Sequence, residues 1–302
     1  MKKFFLLFAA MCCAMMANAT IHKGDLYYEE DEGSQTAYVT FQSEASTNYE
    51  NIYVYVTVPD YFNFDYYDPH YYQINYTIVG IGEKAFRYSP IKGIYLPSTV
   101  TFINDNAFQF CSALEKVEFK AGNVTLTNIG DRAFYQCYAL KDINLENVTI
   151  HRIAPFAFYQ CKGLTELVFN DGLQTIEEKA FAHCTGLKTL SLPASMAVFG
   201  EMAFQGCTGL ETIYCYAEEA PEVNDNTFLN VPRENVTVYV PKGSFLNYRS
   251  NGWFGFNIIE MGEQGIESIQ YSEFRIQKVI KNGQLFIEKN GKTYNAQGAE
   301  MK

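Results

Sequence analysis

Histidine, tryptophan and basic residues are all scarce in this chain of 302 residues. There are four His (His22, His70, His151 and His183) and one Trp. None of the four lies in a His-Glu-x-x-His zinc motif, and neither a Gly-x-Ser-x-Gly elbow nor a Walker-type phosphate loop is present. Those gaps remove the common signatures of metalloproteases, serine hydrolases and nucleotide-binding enzymes. His183 precedes Cys184, but a nucleophilic thiolate needs an exposed, electropositive setting that a buried, periodic Cys lacks. Carboxylate pairs such as Glu29-Glu30 and Glu218-Glu219 read as solvated acidic surface. A glycosidase pair assembled from distant positions stays open in principle. The expectation is a protein that is not an enzyme and carries no cofactor.

Lys and Arg number 23 against 34 Asp and Glu, for a net charge of −11. Without Lys2 and Lys3 the balance is 21 against 34, or −13. Such a surface repels phosphate backbones, so no nucleic acid partner is expected. Long apolar runs are missing after the N-terminus. The run from Phe4 to Met16 follows two lysines and precedes Ala17-Asn18-Ala19. That pattern reads as a signal peptide over residues 1–19 with a small-x-small cleavage site, too short to span a bilayer. The rival reading, a lipid anchor on Cys12 or Cys13, would place Met11 or Cys12 where a lipobox carries a small residue. The chain is therefore expected to be secreted or held on the cell surface, outside the outer membrane, and monomeric, with no membrane span after processing.

What the chain has in abundance is one phrase, Ala-Phe-x-x-Cys-x-x-Leu. It runs through Ala107-Phe108 with Cys111 and Leu114, Ala133-Phe134 with Cys137 and Leu140, and Ala157-Phe158 with Cys161 and Leu164. Ala180-Phe181 with Cys184 and Leu187, then Ala203-Phe204 with Cys207 and Leu210, continue it. A looser copy begins at Ala85-Phe86 and a decayed one at Thr227-Phe228. Successive Phe residues lie 22, 26, 24, 23, 23 and 24 positions apart. A period in the twenties marks a solenoid, in which each repeat covers its neighbour's apolar face.

Five positions ahead of each Phe stands an apolar residue: Ile81, Ile103, Ile129, Ile153, Ile176, Phe199 and Val223. Three positions after each Leu comes an apolar pair separated by one residue, such as Val117-x-Phe119, Leu167-x-Phe169 or Ile213-x-Cys215. Period two predicts a short strand there, while the three- and four-residue spacing of Ala-Phe-x-x-Cys predicts a helical turn. The expected coil is thus of α/β type, one parallel strand plus one helical turn per 22–26 residues, over residues 79–230. Its inward spine is Phe86, Phe108, Phe134, Phe158, Phe181 and Phe204 with Cys111, Cys137, Cys161, Cys184 and Cys207.

With Cys215, six cysteines remain after processing. An even count in an exported chain points to disulfides. Spacings of 26, 24, 23 and 23 fit no metal motif. Their phase favours a third reading, small buried thiols at one place in every coil, all pointing inward rather than at one another.

These residues resemble the BspA-like leucine-rich repeats of surface proteins from Bacteroides-type bacteria and some mucosal protozoa, whose unit is roughly Ile-Gly-x-x-Ala-Phe-x-x-Cys-x-x-Leu-x-x-Ile-x-Leu-Pro. Leu96-Pro97 and Leu192-Pro193 match its end. The resemblance implies a curved solenoid outside the cell, and adhesion to host matrix, fibronectin-type targets included, or to other cells. It also implies a small β cap at residues 20–78, entered through Val56-Thr57-Val58-Pro59, and a closing module at 231–261 containing Val238-Tyr239-Val240-Pro241 and Trp253. Residues 262–302 form a tail whose Asn282-Gly283 and Asn290-Gly291 signal two hairpins and a three-stranded meander. The tail is similar to C-terminal segments of exported Bacteroides-type proteins, some of which are sorting signals.

Two candidate contact surfaces follow. The residue between the inward strand positions faces outward: Tyr95, Glu118, Asn144, Val168, Ser191 and Tyr214. Beside it on that face lie Lys116, Asp142, Glu166, Thr189 and Thr212. The second candidate is Tyr61 to Tyr72, seven of whose twelve residues are aromatic, with Tyr61, Tyr66, Tyr67 and Tyr71 as contact residues. Those rings either cover the open end of the stack or make a binding patch. The EF-hand spacing is absent around Asp60, Asp65 and Asp68, so no metal is expected. Three functions remain open: an adhesin for a host or bacterial surface protein, a glycan-binding component of a polysaccharide system, and a structural envelope protein with no discrete ligand.

Overall fold

The computed structural model describes the backbone of residues 21–23, 26–31, 36–40, 55–57, 61–64, 74–120, 124–262, 277–281, 284–289, 292–295 and 300–301, and the side chains of Val39 and residues 77–120 and 124–262. Residues 1–19, Tyr66, Tyr67 and Tyr71 lie outside the described residues.

Strands β1 (Ile21–Lys23), β2 (Leu26–Asp31) and β3 (Thr36–Thr40) form an antiparallel meander, and β3 then pairs in parallel with β6 (Ile74–Ile81). Strand β5 (Tyr61–Phe64) pairs antiparallel with β6, so Tyr61 lies opposite Thr77. Strand β4 (Tyr55–Thr57) starts the first ladder of the solenoid. It pairs in parallel with β7 (Gly93–Leu96), which continues to β9 (Lys116–Phe119) and β12 (Asp142–Ile143). The same ladder position resumes at β15 (Glu166–Val168), β17 (Thr189–Leu192) and β19 (Thr212–Cys215). Equivalent residues stand in register, Ile94 beside Val117 and Leu190 beside Ile213. Most of the apolar-x-apolar triplets therefore form the strands that their period predicts, while β12 stops short of Leu145 and β15 short of Phe169.

The apolar residue five positions before each Phe builds a second parallel ladder, a strand position beyond the one per repeat that the period-two pattern predicts. It runs from β6 through β8 (Phe102–Ile103), β11 (Asn128–Ile129), β14 (Arg152–Ile153) and β16 (Thr175–Ile176) to β18 (Val198–Phe199). A third pairing, β10 (Val124–Leu126) with β13 (Val148–Ile150), occurs in the connections between Phe108 and Phe158.

Between the ladders the six Phe residues and Phe228 stack in one column, with ring centroids 5.0–5.5 Å apart and planes within 8°. Every ring is buried. Parallel stacking in an offset arrangement is favourable for aromatic pairs, and its spacing is near the ~4.8 Å between paired strands. One inward position can thus repeat indefinitely without a gap.

The helical turn is minor: the Ala-Phe-x-x-Cys stretch folds as successive tight turns. Residues two before and two after the Phe take left-handed backbone angles, as at Lys84 and Tyr88, Asn106 and Phe110, and Arg132 and Gln136. A helix would send each N–H to the carbonyl four residues back. Here alternate N–H groups leave the coil instead. Phe86 N–H donates to the Ala107 carbonyl (2.7 Å) and Tyr88 N–H to the Gln109 carbonyl (2.9 Å), both one coil onward. Left-handed geometry costs about 1–2 kcal/mol for a residue with a Cβ, and the inter-coil bonds offset it.

The thiols take part in the same network. Cys111, Cys137, Cys161, Cys184 and Cys207 each donate S–H to the carbonyl of the Phe one coil back, at 2.8–3.2 Å. All six described cysteines are buried and free, in line with the reading of inward thiols. Burial pushes every thiol up, Cys207 to about 12 and Cys215 to about 11.

The seventh coil has Val231 in the Cys place and is closed by β20 (Thr237–Val240), a short helix α1 (Phe245–Ser250) and β21 (Asn257–Glu260). Trp253 is fully buried, donates its indole N–H to the Pro221 carbonyl (2.8 Å), packs with Phe256 against Phe228, and has Tyr248 against its own ring. It fills the space behind the last ring of the Phe column. In the tail, β22 (Gln277–Lys281), β23 (Gln284–Lys289) and β24 (Lys292–Asn295) pair antiparallel, and a short β25 (Glu300–Met301) adds a fourth strand to the expected three.

Candidate binding surface

In a parallel ladder one side of the strands faces the core and the other faces out, so the outward residue of every coil falls into one column. The structure assembles Tyr95 beside Glu118 and, separately, Val168 beside Ser191 beside Tyr214. Asn144 joins neither group. Leu145 N–H turns back to the Ile143 carbonyl (2.9 Å), which cuts β12 to two residues and leaves it unpaired with β15. The column is thus split into a four-stranded and a five-stranded sheet.

The two blocks differ in chemistry. On the N-terminal block Lys116 pairs with Glu118 at 2.6 Å and Lys141 with Glu115 at 2.9 Å. The lysine ammonium is held above its usual range by Glu118, and Glu115 below its usual range by Lys141. Exposed pairs of this kind contribute little to stability, but they keep this half of the face polar. On the C-terminal block Val168, Ser191 and Tyr214 carry no charge. Ser191 is only 8 % exposed, shaded between its neighbours, so Val168 and Tyr214 supply the contact area around it.

Two strands after the seventh coil lengthen this block beyond the outward residues that the repeats predict. Strands β20 and β21 continue the ladder, placing Tyr239 beside Tyr214 and Ile259 beside Tyr239. The two tyrosine rings stack at 5.0 Å and 13°, and Ile259 is 40 % exposed. Thr237 and Asn257 likewise extend the row of Glu166, Thr189 and Thr212. The signal was present in Val238-x-Val240, the same inward pair that marks the repeats.

A second aromatic line runs along the turns. Tyr88, Phe110, Tyr135, Tyr159 and His183 follow one another with centroids 4.8–5.6 Å apart, and Arg87 lies over Tyr88 and Phe110. The rings spend their faces and edges on one another, which leaves less aromatic surface for a ligand than the individual exposures suggest. Among the described residues no group of His, Cys, Asp and Glu could hold a metal ion, and no helix is long and apolar enough to cross a membrane.

Compared with known proteins, residues 79–211 and 127–246 match, in six copies, the family described as BspA type Leucine rich repeat region. No curated protein matches the chain. Among solved structures it is similar to a leucine rich cell surface protein from Faecalibacterium prausnitzii, with 22% identity and a TM-score of 0.55 over 93% of this chain and 60% of that one. A leucine-rich repeat protein from Bacteroides ovatus shares 24% identity and a TM-score of 0.52, over 80% of this chain and 52% of the other. The T. pallidum Leucine Rich Repeat protein shares 18% identity and a TM-score of 0.51, over 80% and 99%. The chain therefore spans little more than half the length of the first two. At these identities the likeness is one of fold.

Proposed function

The chain belongs to the BspA type leucine-rich repeat family, and from that premise we propose that it is a non-enzymatic, exported binding protein that adheres through its outward strand face to a protein on host matrix or on another cell. The observation that carries the reading is the uncharged strip Val168, Tyr214, Tyr239 and Ile259 on a five-stranded parallel sheet. Tyrosine brings large contact area at low entropic cost, and aromatic anchors dominate the energetics of protein interfaces. A preformed sheet orders little on binding, which suits a broad, shallow contact. The cell-surface description of the F. prausnitzii protein and the signal-peptide pattern before Thr20 support export. The stacked tyrosines favour protein over glycan, because each ring has one face covered by the other.

The test is a solid-phase screen of residues 20–302 against matrix proteins, fibronectin included, with a glycan array in parallel. Changing Tyr214 and Tyr239 together to Ala should weaken the captured interaction at least tenfold, as expected for central aromatic anchors. Binding that is confined to glycans, or that survives the double change, refutes the reading.

A further inference from the structure

Where β17, β19 and β20 end, the chain turns out of the sheet at Pro193, Tyr216 and Pro241, and the turns leave an open groove of about 660 Å³. Its floor is apolar: Met196 and Tyr216 are 2 % and 7 % exposed, with Pro221 and Pro241 buried beside them. Asp171, Glu218 and Glu219 are the charged residues of its lining, and no Lys, Arg or His joins them. Glu219 receives a hydrogen bond from Asn247 Nδ2 (3.3 Å). The Asp171 and Glu218 carboxylates make no ion pair among the described residues.

The groove is built rather than left over. Four side chains of the cap fix residues 217–221 from behind. Tyr248 hydroxyl donates to the Ala217 carbonyl (2.6 Å) and Ser244 hydroxyl to the Glu218 carbonyl (3.2 Å). Asn247 Oδ1 accepts the Ala220 N–H (2.6 Å), and Trp253 donates to the Pro221 carbonyl. At Asp171 the neighbouring Gly172 N–H donates to Ser195 Oγ (2.9 Å), which itself donates to the Leu173 carbonyl (2.8 Å). That loop is thereby tied to the next coil.

We propose that this groove binds a lysine or arginine side chain presented by a partner protein. The hydrocarbon stem of such a residue covers apolar surface while its head stays with polar groups, which matches a Met, Tyr and Pro floor beneath carboxylates. Charge decides the occupant: the lining has three acidic residues, two of them outside any ion pair among the described residues, and no basic one, and charge-assisted hydrogen bonds are the stronger kind. An acidic or neutral side chain of the same length gains no such bonds. The site lies off the strand face and stands independently of the adhesion reading.

The experiment follows the Met196 methyl resonance in the full chain labelled with methyl-13C methionine, assigned through Met196→Leu. The probes are N-acetyl-lysine methylamide, N-acetyl-arginine methylamide and, as the uncharged control with the same stem, the Nε-acetylated lysine compound. The first two should shift the resonance saturably and the third should not. Asp171→Asn with Glu218→Gln should weaken binding about tenfold, as expected for loss of a charged hydrogen bond, whereas Glu178→Gln with Glu201→Gln should leave it unchanged. No shift with either cation, an equal shift with the acetylated compound, or equal weakening by both double variants overturns the proposal.

Discussion

Raising the pH should unfold this protein through its thiols. Six buried cysteines have their pKa raised by burial, with Cys207 held at about 12 and Cys215 at about 11. In the unfolded chain each thiol ionises near its ordinary value of 9.0. Below that value both states are protonated, and the buried thiols contribute their full stability. Above it the unfolded state loses protons that the native state keeps, so stability falls with pH until the folded values are reached. At pH 10 each thiol that the fold keeps protonated costs on the order of 1 kcal/mol, because one pK unit is worth about 1.36 kcal/mol, so the six together cost several kcal/mol. That approaches the ~5–15 kcal/mol that holds a typical domain together. Tyr248, whose phenol is also pushed up by burial, acts in the same direction.

The assay is urea unfolding at pH 7, 8, 9 and 10, read by the fluorescence of Trp253, the single tryptophan. The midpoint should hold between pH 7 and 8 and fall steeply between 9 and 10. Cys161→Ala with Cys184→Ala should start from lower stability at pH 8, yet lose about a third less on going to pH 10, because two of the six titrating groups are gone. A midpoint at pH 10 equal to that at pH 8 would refute the argument. So would a double variant that loses as much as the parent, because that would place the titration elsewhere.

Native protein at pH 8 should resist iodoacetamide at all six ladder cysteines, with full alkylation after denaturation counted by mass spectrometry; prompt labelling of any one of them contradicts the buried thiol column. Phe134→Ala, which removes a fully buried ring stacked on both Phe108 and Phe158, should cost about 3–5 kcal/mol in chemical denaturation, and a cost under 1 kcal/mol would mean the column is not shared between coils. Gly252→Ala should disrupt the cap, because Gly252 has φ +89° and an added Cβ would fall 1.7 Å from the Val223 carbonyl oxygen; the readout is a red shift of Trp253 emission, and an unchanged spectrum counts against the arrangement. If the exported form is processed as its N-terminus suggests, N-terminal sequencing of protein recovered from the cell exterior should begin at Thr20.

The inward half of this structure is legible in the sequence, and the reason is burial. A position that faces the stack meets the same neighbours in every coil, so Phe, Cys and Leu recur and print the period. Turn geometry is harder to read, because residues as different as Lys84, Phe110, Arg132 and His183 all adopt left-handed angles. Their shared cause is an inter-coil N–H bond, which any residue but proline can make. Hence the spacing of Ala-Phe-x-x-Cys reads as a helical turn, which the structure keeps only in minor form as successive tight turns. The second ladder is hidden for a similar reason: most of its strands are two residues long, too short to show an alternation.

The outward residues print nothing, since solvent leaves them free to differ from coil to coil. Tyr239 and Ile259 extend the candidate face only because β20 pairs onto β19 and β21 onto β20. The acidic groove depends on bonds that link residues 217–221 to side chains 26–32 positions later. No local pattern expresses a contact over that distance. In a solenoid the scaffold is therefore the repetitive part of the sequence, and both proposed contact sites border places where repetition fails. Here it fails at the turn of Leu145 that splits the strand face and at the cap that closes the stack. Both places border the uncharged strip from Val168 to Ile259, so a partner that grips one end of that strip would lie close to a coil that departs from the regular repeat.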